Sequence, residues 1–315
     1  MDTIQNAIKN FLTHCKLEKN LSQRTLKAYQ IDLTQLLKFL KQKQYPLLVS
    51  EISKNQLRDY LESLSSLKPK SIKRKVATAK AMFNYLEYDD LITVNPFRKM
   101  RIRIKEDRNL PKVLSLQEIT QIYGRAYNFQ SYLQPSDKYS YFEAIRNIVV
   151  LELLFTTGGR VSEISNLRDE NIDLISGVIR IKGKGNRERI IQICNPETIA
   201  VLKQYRKMII DRIPTADNYF LINRLGKKLS DQSIRGIVKK LTSKTKIKIH
   251  VTPHVFRHSF ATLLLEKDVD IKYIQAMLGH SSIVTTQIYT HVNKVKQRQI
   301  LKTKHPRKEL SFAIT

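Results

Sequence analysis

The chain has 315 residues, 42% of them hydrophobic, which is enough for one large core or two smaller ones. Its 56 Lys and Arg stand against 28 Asp and Glu, a formal net charge of +28 that far exceeds what solubility needs and points to a polyanionic partner, nucleic acid before an anionic membrane surface. No apolar run is long enough to span a bilayer, the first twenty residues hold no signal-like apolar core, and Cys15 and Cys194 give neither a disulfide framework nor metal-ligand spacing, so a cytoplasmic, DNA-associated protein is expected.

Residues 1–97 read as all-helical. Ile4, Ile8, Phe11 and Leu12 recur at helical spacing. Ser22 caps a second helix carrying Leu26, Tyr29, Leu33, Leu36, Leu37 and Leu40, and Ser53 begins a third with Leu57, Tyr60, Leu61 and Leu64. Pro69 and Ser71 lead a fourth, with Ile72, Val76, Ala79, Phe83 and Leu86 on its apolar side. Its early turns carry Lys68, Lys70, Lys73, Arg74, Lys75 and Lys80 with no acid among them, which favours phosphate contact over a merely solvated face. Asn95-Pro96 ends this part. Residues 98–112 then supply Arg98, Lys99, Arg101, Arg103, Lys105, Arg108 and Lys112, the composition of a basic linker lying against a DNA backbone.

A mixed second domain, 113–315, follows. Ser115 and Glu118 form a reciprocal capping box, 126–138 reads as a loop or broken helix, and Phe142–Thr156 as a buried helix. Val178–Ile181 and Arg189–Ile193 read as strands of a hairpin turned by Gly183-Lys184-Gly185-Asn186, with a further short strand at Tyr219–Ile222. Helices are expected over Thr198–Ile213 and Ser230–Thr242, from Thr252-Pro253 to about Glu266, and from Asp270 to a cap at Gly279. Ser281 or Ser282 starts a short helix leading to Tyr289, and a basic tail follows.

Four features offer chemistry. Arg160 follows two glycines and opens a helix, where its guanidinium can fork onto phosphate oxygens or simply cap and pair with Glu163. Lys184 sits at a hairpin tip, either solvated or placed in a DNA groove as a general acid, with Lys182, Arg187 and Arg189 nearby as backbone contacts. His254 and Arg257 share a helix face, whereas His258 reads as a hydrogen-bonded packing histidine. His280 and Tyr289 come last. A tyrosine phenol ordinarily titrates near 10 and needs cations or a base to act as a nucleophile. Two arginines, a lysine and two histidines would supply that setting, and no carboxylate cluster is spaced to hold a metal.

The ordered set Arg160, Lys184, His254-x-x-Arg257, Leu278-Gly279-His280 and Tyr289 resembles that of the tyrosine recombinase/phage integrase family, and its bacterial Xer-like members in particular. The resemblance spans nearly the whole chain and is strongest from Thr157 to Thr290. It implies a two-domain, mainly α protein: an N-terminal helical core-binding, SAM-like domain and a mixed α/β catalytic domain. It also implies that Arg160 and Arg257 bind the scissile phosphate, that Tyr289 attacks it, that Lys184 protonates the departing 5′-hydroxyl, and that His254 and His280 assist. A 3′-phosphotyrosyl intermediate and a Holliday junction follow, with neither metal, ATP nor other cofactor. Lys70, Lys73, Arg74, Lys75, Arg101, Arg103, Lys182, Arg187 and Arg189 are the expected DNA contacts.

The implied partner is double-stranded DNA with paired recognition sites, bound by a homo-tetramer on two sites, alone or with a related recombinase. A C-terminal segment including Ile300, Leu301 and Leu310 would dock on a neighbouring protomer. Gly159 stands where many relatives carry a larger apolar residue, which would loosen the approach to Arg160. Two other readings remain open at this point, a type IB topoisomerase-like nicking enzyme and a DNA-binding accessory factor that has kept the fold.

Overall fold

A computed structural model describes residues 2–105, 112–134, 136, 138–183, 188–212, 218–243, 245–279 and 294–312. The chain divides into two compact units, Met1–Asn109 and Leu110–Thr315, each with its own core.

Among the described residues, the first unit has four α-helices: α1 (Ile4–Leu17), α2 (Gln23–Gln42), α3 (Lys54–Ser63) and α4 (Pro69–Tyr88). Local chemistry sets their starts. The Thr3 and Ser22 hydroxyls accept from Asn6 N and Thr25 N, Gln56 closes a capping box on Ser53, and Pro69 occupies the first turn of α4. Ile4, Phe11, Leu33, Leu36, Leu57, Met82 and Phe83 are fully enclosed between them. One carboxylate is buried with them. Asp32 on α2 accepts from Lys75 Nζ at 3.2 Å and Thr78 Oγ1 at 3.3 Å and is paired with Arg74, so it ties α2 to α4. Beyond α4, Arg98 bonds Glu87 at 2.8 Å, and Met100 and Ile102 pack on this core. The start of the expected linker is therefore part of the first unit.

The second unit begins with α5 (Leu116–Ser131) and α6 (Lys138–Thr157). The Ser115–Glu118 capping box is present. Of the two readings of 126–138, a loop or a broken helix, the second holds, since α5 runs to Ser131 and α6 starts at Lys138. Ala126, Tyr127 and Gln130 continue the buried face of Ile119, Ile122 and Tyr123, and the Tyr127 hydroxyl donates to Glu152 Oε1 at 2.7 Å. α7 (Val161–Ser165) leads into an antiparallel sheet of β1 (Ile172–Asp173), β2 (Val178–Lys182) and β3 (Glu188–Gln192). The hairpin is as expected, with Ile179 opposite Ile191 and Lys182 opposite Glu188, and the short β1 adds an edge that two residues of sequence could not announce. Tyr219–Ile222 is not a strand. It makes only isolated bridges, Arg168 with Tyr219 and Ile222 with Lys228.

Among the described residues, helices α8 (Pro196–Arg212), α9 (Asp231–Thr242), α10 (Pro253–Leu265), α11 (Ile271–Leu278) and α12 (Lys294–Lys304) follow, with a 3-10 turn at Pro306–Glu309. Thr252 and Asp270 cap α10 and α11, and Gly279 closes α11 in the left-handed region at φ 63°. In the single chain, the segment with Ile300, Leu301 and Leu310 packs on its own unit. Ile300, Leu301 and Leu310 are buried in the second core because Arg307 and His305, also buried, are bonded to Glu152 and Thr156 of α6. Among the described residues, no helix is long and apolar enough to cross a membrane.

Candidate active site

The site is built where α6 ends. Gly158 turns the chain at φ +57°, a conformation that L side chains resist, and a Cβ there would lie 2.7 Å from Phe260 and 2.8 Å from Leu278. This close approach brings the carbonyl of Gly158 to α10, where Arg257 Nη1 donates to it at 2.7 Å. Arg257 Nη2 donates to the carbonyl of Leu278, also at 2.7 Å. One guanidinium thus joins the ends of α6 and α11 to α10. Gly159 is not a loosened approach: its N–H is fixed by Thr157 Oγ1 at 3.0 Å, and a Cβ on it would press on Ile164 at 2.6 Å.

Arg160 is the cap residue of α7, and its backbone N–H and its Nη1 both bond the carboxylate of Glu163, each at 2.8 Å. The backbone N–H of Arg160 is therefore already used, while the side chain remains 37% exposed. The same carboxylate accepts from Arg189 Nη2 at 2.7 Å, and Arg189 Nε donates to the carbonyl of Met277 at 2.7 Å. Burial alone would push the Glu163 carboxyl up. Hydrogen bonds and charge from Arg189 and Arg160 outweigh it and hold the group below the usual range, so it is ionised.

The cations feel one another. Arg257 is brought down to about 10, first by burial and then by the charge of Arg160, with Arg189 adding and Glu163 opposing. His254, on the exposed side of α10, is lowered by partial burial and then by Arg257, Arg235, His258 and Arg160. Arg160, His254 and Arg257 therefore share one electrostatic neighbourhood, in which the Glu163 carboxylate is bonded to Arg160 and Arg189. Such a cluster is a seat for an anion, since an incoming negative charge would relieve the mutual repulsion.

Of the other expected residues, Lys184, Arg187, His280 and Tyr289 lie outside the described residues, as does the short helix expected from Ser281 or Ser282. Lys70, Lys73, Arg101, Arg103 and Lys182 are exposed, Lys182 facing Glu188 at 3.5 Å. Arg74 is half exposed beside Asp32. Lys75 and Arg189 correct the reading of a free basic surface. Lys75 is 6% exposed and bonded to Asp32 and Gln35, and Arg189 is 10% exposed on Glu163 and Met277. Their charges are committed inside the protein. His258 is exposed and does not act as a packing histidine. The joint role of Glu163 with Arg189 was missed. The only local signal was the three-residue spacing from Arg160 to Glu163. Among the described residues, no three His, Cys, Asp or Glu side chains gather as a metal site.

The chain matches two family models: "Phage integrase family" over residues 115–296 and "Phage integrase, N-terminal SAM-like domain" over residues 8–88. It is 44% identical to a "Tyrosine recombinase" of Agathobacter rectalis, over 99% of this chain and 100% of that one. It is 33% identical to "Tyrosine recombinase XerC" of Thermodesulfovibrio yellowstonii, over 97% and 98%. A lambda integrase tetramer bound to a Holliday junction shares the fold, with TM-score 0.65, 17% identity and coverage of 90% of this chain and 78% of that one.

The chain belongs to the phage integrase family of tyrosine recombinases, on the Xer-like side. It is an enzyme of that class, whose work is DNA recombination, and it has the class's two parts, a helical SAM-like domain and a mixed α/β catalytic domain.

Proposed function

We propose that this protein is a site-specific recombinase that cuts and rejoins duplex DNA at Tyr289 by way of a 3′-phosphotyrosyl ester and a Holliday junction. The observation that carries this reading is the gathering of Arg160, Arg257 and His254 around the ends of α6 and α10, where burial and then the charge of Arg160 lower the proton affinity of Arg257 and the nearby Glu163 carboxylate is bonded to Arg160 and Arg189.

The scissile phosphate would take the place of the missing negative charge. Arg257 has spent one N–H of each terminal nitrogen on backbone carbonyls, and Arg160 has spent one on Glu163. A guanidinium carries five N–H donors, so both have donors left for the non-bridging oxygens. These would stabilise the charge that grows in the pentacoordinate transition state. His254, largely neutral near pH 7 because its pKa is lowered, can donate or accept a hydrogen bond at the same phosphate. Tyr289 attacks phosphorus and Lys184 protonates the departing 5′-hydroxyl, with His280 assisting. The ester keeps the energy of the broken bond, so a 5′-hydroxyl from a partner duplex reverses the step without ATP.

The partner is double-stranded DNA with paired sites, held by four protomers, or by two pairs with a related recombinase. Such an assembly fits the tetramer on a junction named for lambda integrase. Exposed Lys70, Lys73, Arg101, Arg103 and Lys182, together with Arg187, would contact the backbone, and the protein would work in the cytoplasm on DNA. A two-site recombination assay beside a supercoil-relaxation assay tests this. Strand exchange between two sites, with a junction that accumulates when the second cut is blocked, supports the reading. Relaxation of a one-site plasmid with no exchange would overturn it in favour of a nicking enzyme.

A further inference from the structure

A second cationic cleft opens beside the candidate active site, on the outer face of β2. It measures about 560 Å³ counting its mouth, and Arg168, Arg180, Lys182 and Tyr219 line it. Arg168 stands over the Tyr219 ring at 4.9 Å, and Lys228 reaches the same ring at 5.3 Å. Arg180 and Lys182 are two apart on β2, so both leave the same exposed face while Ile179 and Ile181 enter the core. Their spacing along a strand is about 6.6 Å, close to the separation of successive phosphates on one DNA strand.

The charge balance of this cleft is one-sided. Its one lining carboxylate is Glu163, buried and already bonded by Arg160 and Arg189. Neither Arg168 nor Arg180 has an ion-pair partner among the described residues, and both are exposed. Two cations brought to one aromatic ring repel each other. The ring's quadrupole offsets part of that repulsion, and a phosphate between them would offset more. An aromatic wall with planar guanidiniums fits a backbone phosphate and its sugar better than it fits a bare ion.

We propose that this cleft seats a phosphate of duplex DNA other than the scissile one, held by Arg168 and Arg180. This rests on the reading of the protein as a DNA recombinase and adds a site to it. Glu163 forms part of the cleft wall and also holds Arg160, so DNA seated here would be registered against the catalytic arginine.

The test uses the full chain and the duplex that it selects from a random-sequence pool. Affinity is measured against salt for the wild type, Arg168→Gln/Arg180→Gln and Arg168→Lys/Arg180→Lys, and phosphate-ethylation interference is mapped for each. The Gln pair should flatten the slope of log affinity against log salt by about 0.9 for each phosphate that it no longer neutralises. It should also become indifferent to ethylation at one or two phosphates that the wild type needs. The Lys pair should restore most of the slope, and matching thermal melts will show that the variants are folded. A Gln pair with the slope and ethylation pattern of the wild type would overturn the proposal. A wild type that selects no duplex would overturn the recombinase reading along with it, and the two failures are distinct.

Discussion

Arg307 closes on Glu152 across 155 positions of sequence, its Nη2 2.7 Å from Oε1 with both side chains almost wholly enclosed. The pair does not stand alone. Arg307 also reaches Glu197 at 3.0 Å, while Tyr127 and Thr198 donate to the same Glu152 carboxylate at 2.7 and 2.8 Å. This network anchors the end of the chain to α6, and so accounts for the burial of Ile300, Leu301 and Leu310 within their own unit. Removing one member of a buried pair leaves the other charge uncompensated, which costs about 3–5 kcal/mol. Arg307→Met should lower unfolding free energy by that amount in denaturant titration. The double variant Arg307→Met/Glu152→Met should recover much of it.

His305 makes the same anchor sensitive to acid. Arg307 N donates to its Nδ1 at 2.9 Å, so the proton sits on Nε2, facing the carbonyl of Thr156 at 3.2 Å. Burial, helped by Arg307 and Lys267, pushes its pKa down to about 4 although the Thr156 carbonyl works against this. The unfolded chain takes up the proton near 6.5. Its contribution to stability is therefore complete above that pH and is lost as pH falls from 6.5 to 4, to a total of about 3 kcal/mol. Between pH 7 and pH 5 the wild type should lose about 2 kcal/mol more than His305→Asn. Equal losses in the two proteins would show that another group sets the acid limit.

How far the sequence carried the account depends on whether a signal is local. The caps at Ser22, Ser115, Thr252 and Asp270, and the glycine stop at Gly279, sit within a turn of the groups they satisfy and are where the pattern puts them. The bonds of Glu163 to Arg189 and of Arg257 to Gly158 span 26 and 99 positions, and no periodicity encodes them. Lys75 is an intermediate case. It falls on the apolar stripe of Ile72, Val76 and Ala79, as Asp32 falls on that of Tyr29, Leu33 and Leu36. Helical phase alone would have moved both inside, but a run of neighbouring cations made Lys75 look like surface.

Glu163 holds Arg160 and Arg189 with one buried carboxylate, so its loss should act on chemistry through the arginines. Glu163→Gln keeps the shape and removes the charge. The single-turnover rate of strand cleavage should fall about 100-fold, the scale of a misplaced catalytic group, while DNA affinity changes only a few-fold. Glu163→Asp should recover part of the rate. An affinity loss as large as the rate loss would place Glu163 in binding and not in positioning.

Gly158 allows no side chain. At φ +57°, with Phe260 and Leu278 closer than 3 Å to any Cβ, Gly158→Ala combines backbone strain with a clash. A cost of about 2–4 kcal/mol is expected, read as a lower melting temperature. Because the Gly158 carbonyl orients Arg257, cleavage should slow even at temperatures where the variant is fully folded.

In the proposed reaction Tyr289 becomes covalently joined to DNA. A suicide duplex, nicked so that the fragment beyond the cut diffuses away, traps that state, and peptide mapping of the trapped complex identifies the joined residue. The account predicts a stable adduct with the phosphate on Tyr289 in the wild type and none with Tyr289→Phe, although that variant still binds the duplex. An adduct of undiminished yield in Tyr289→Phe, or one mapped to another residue, would contradict it.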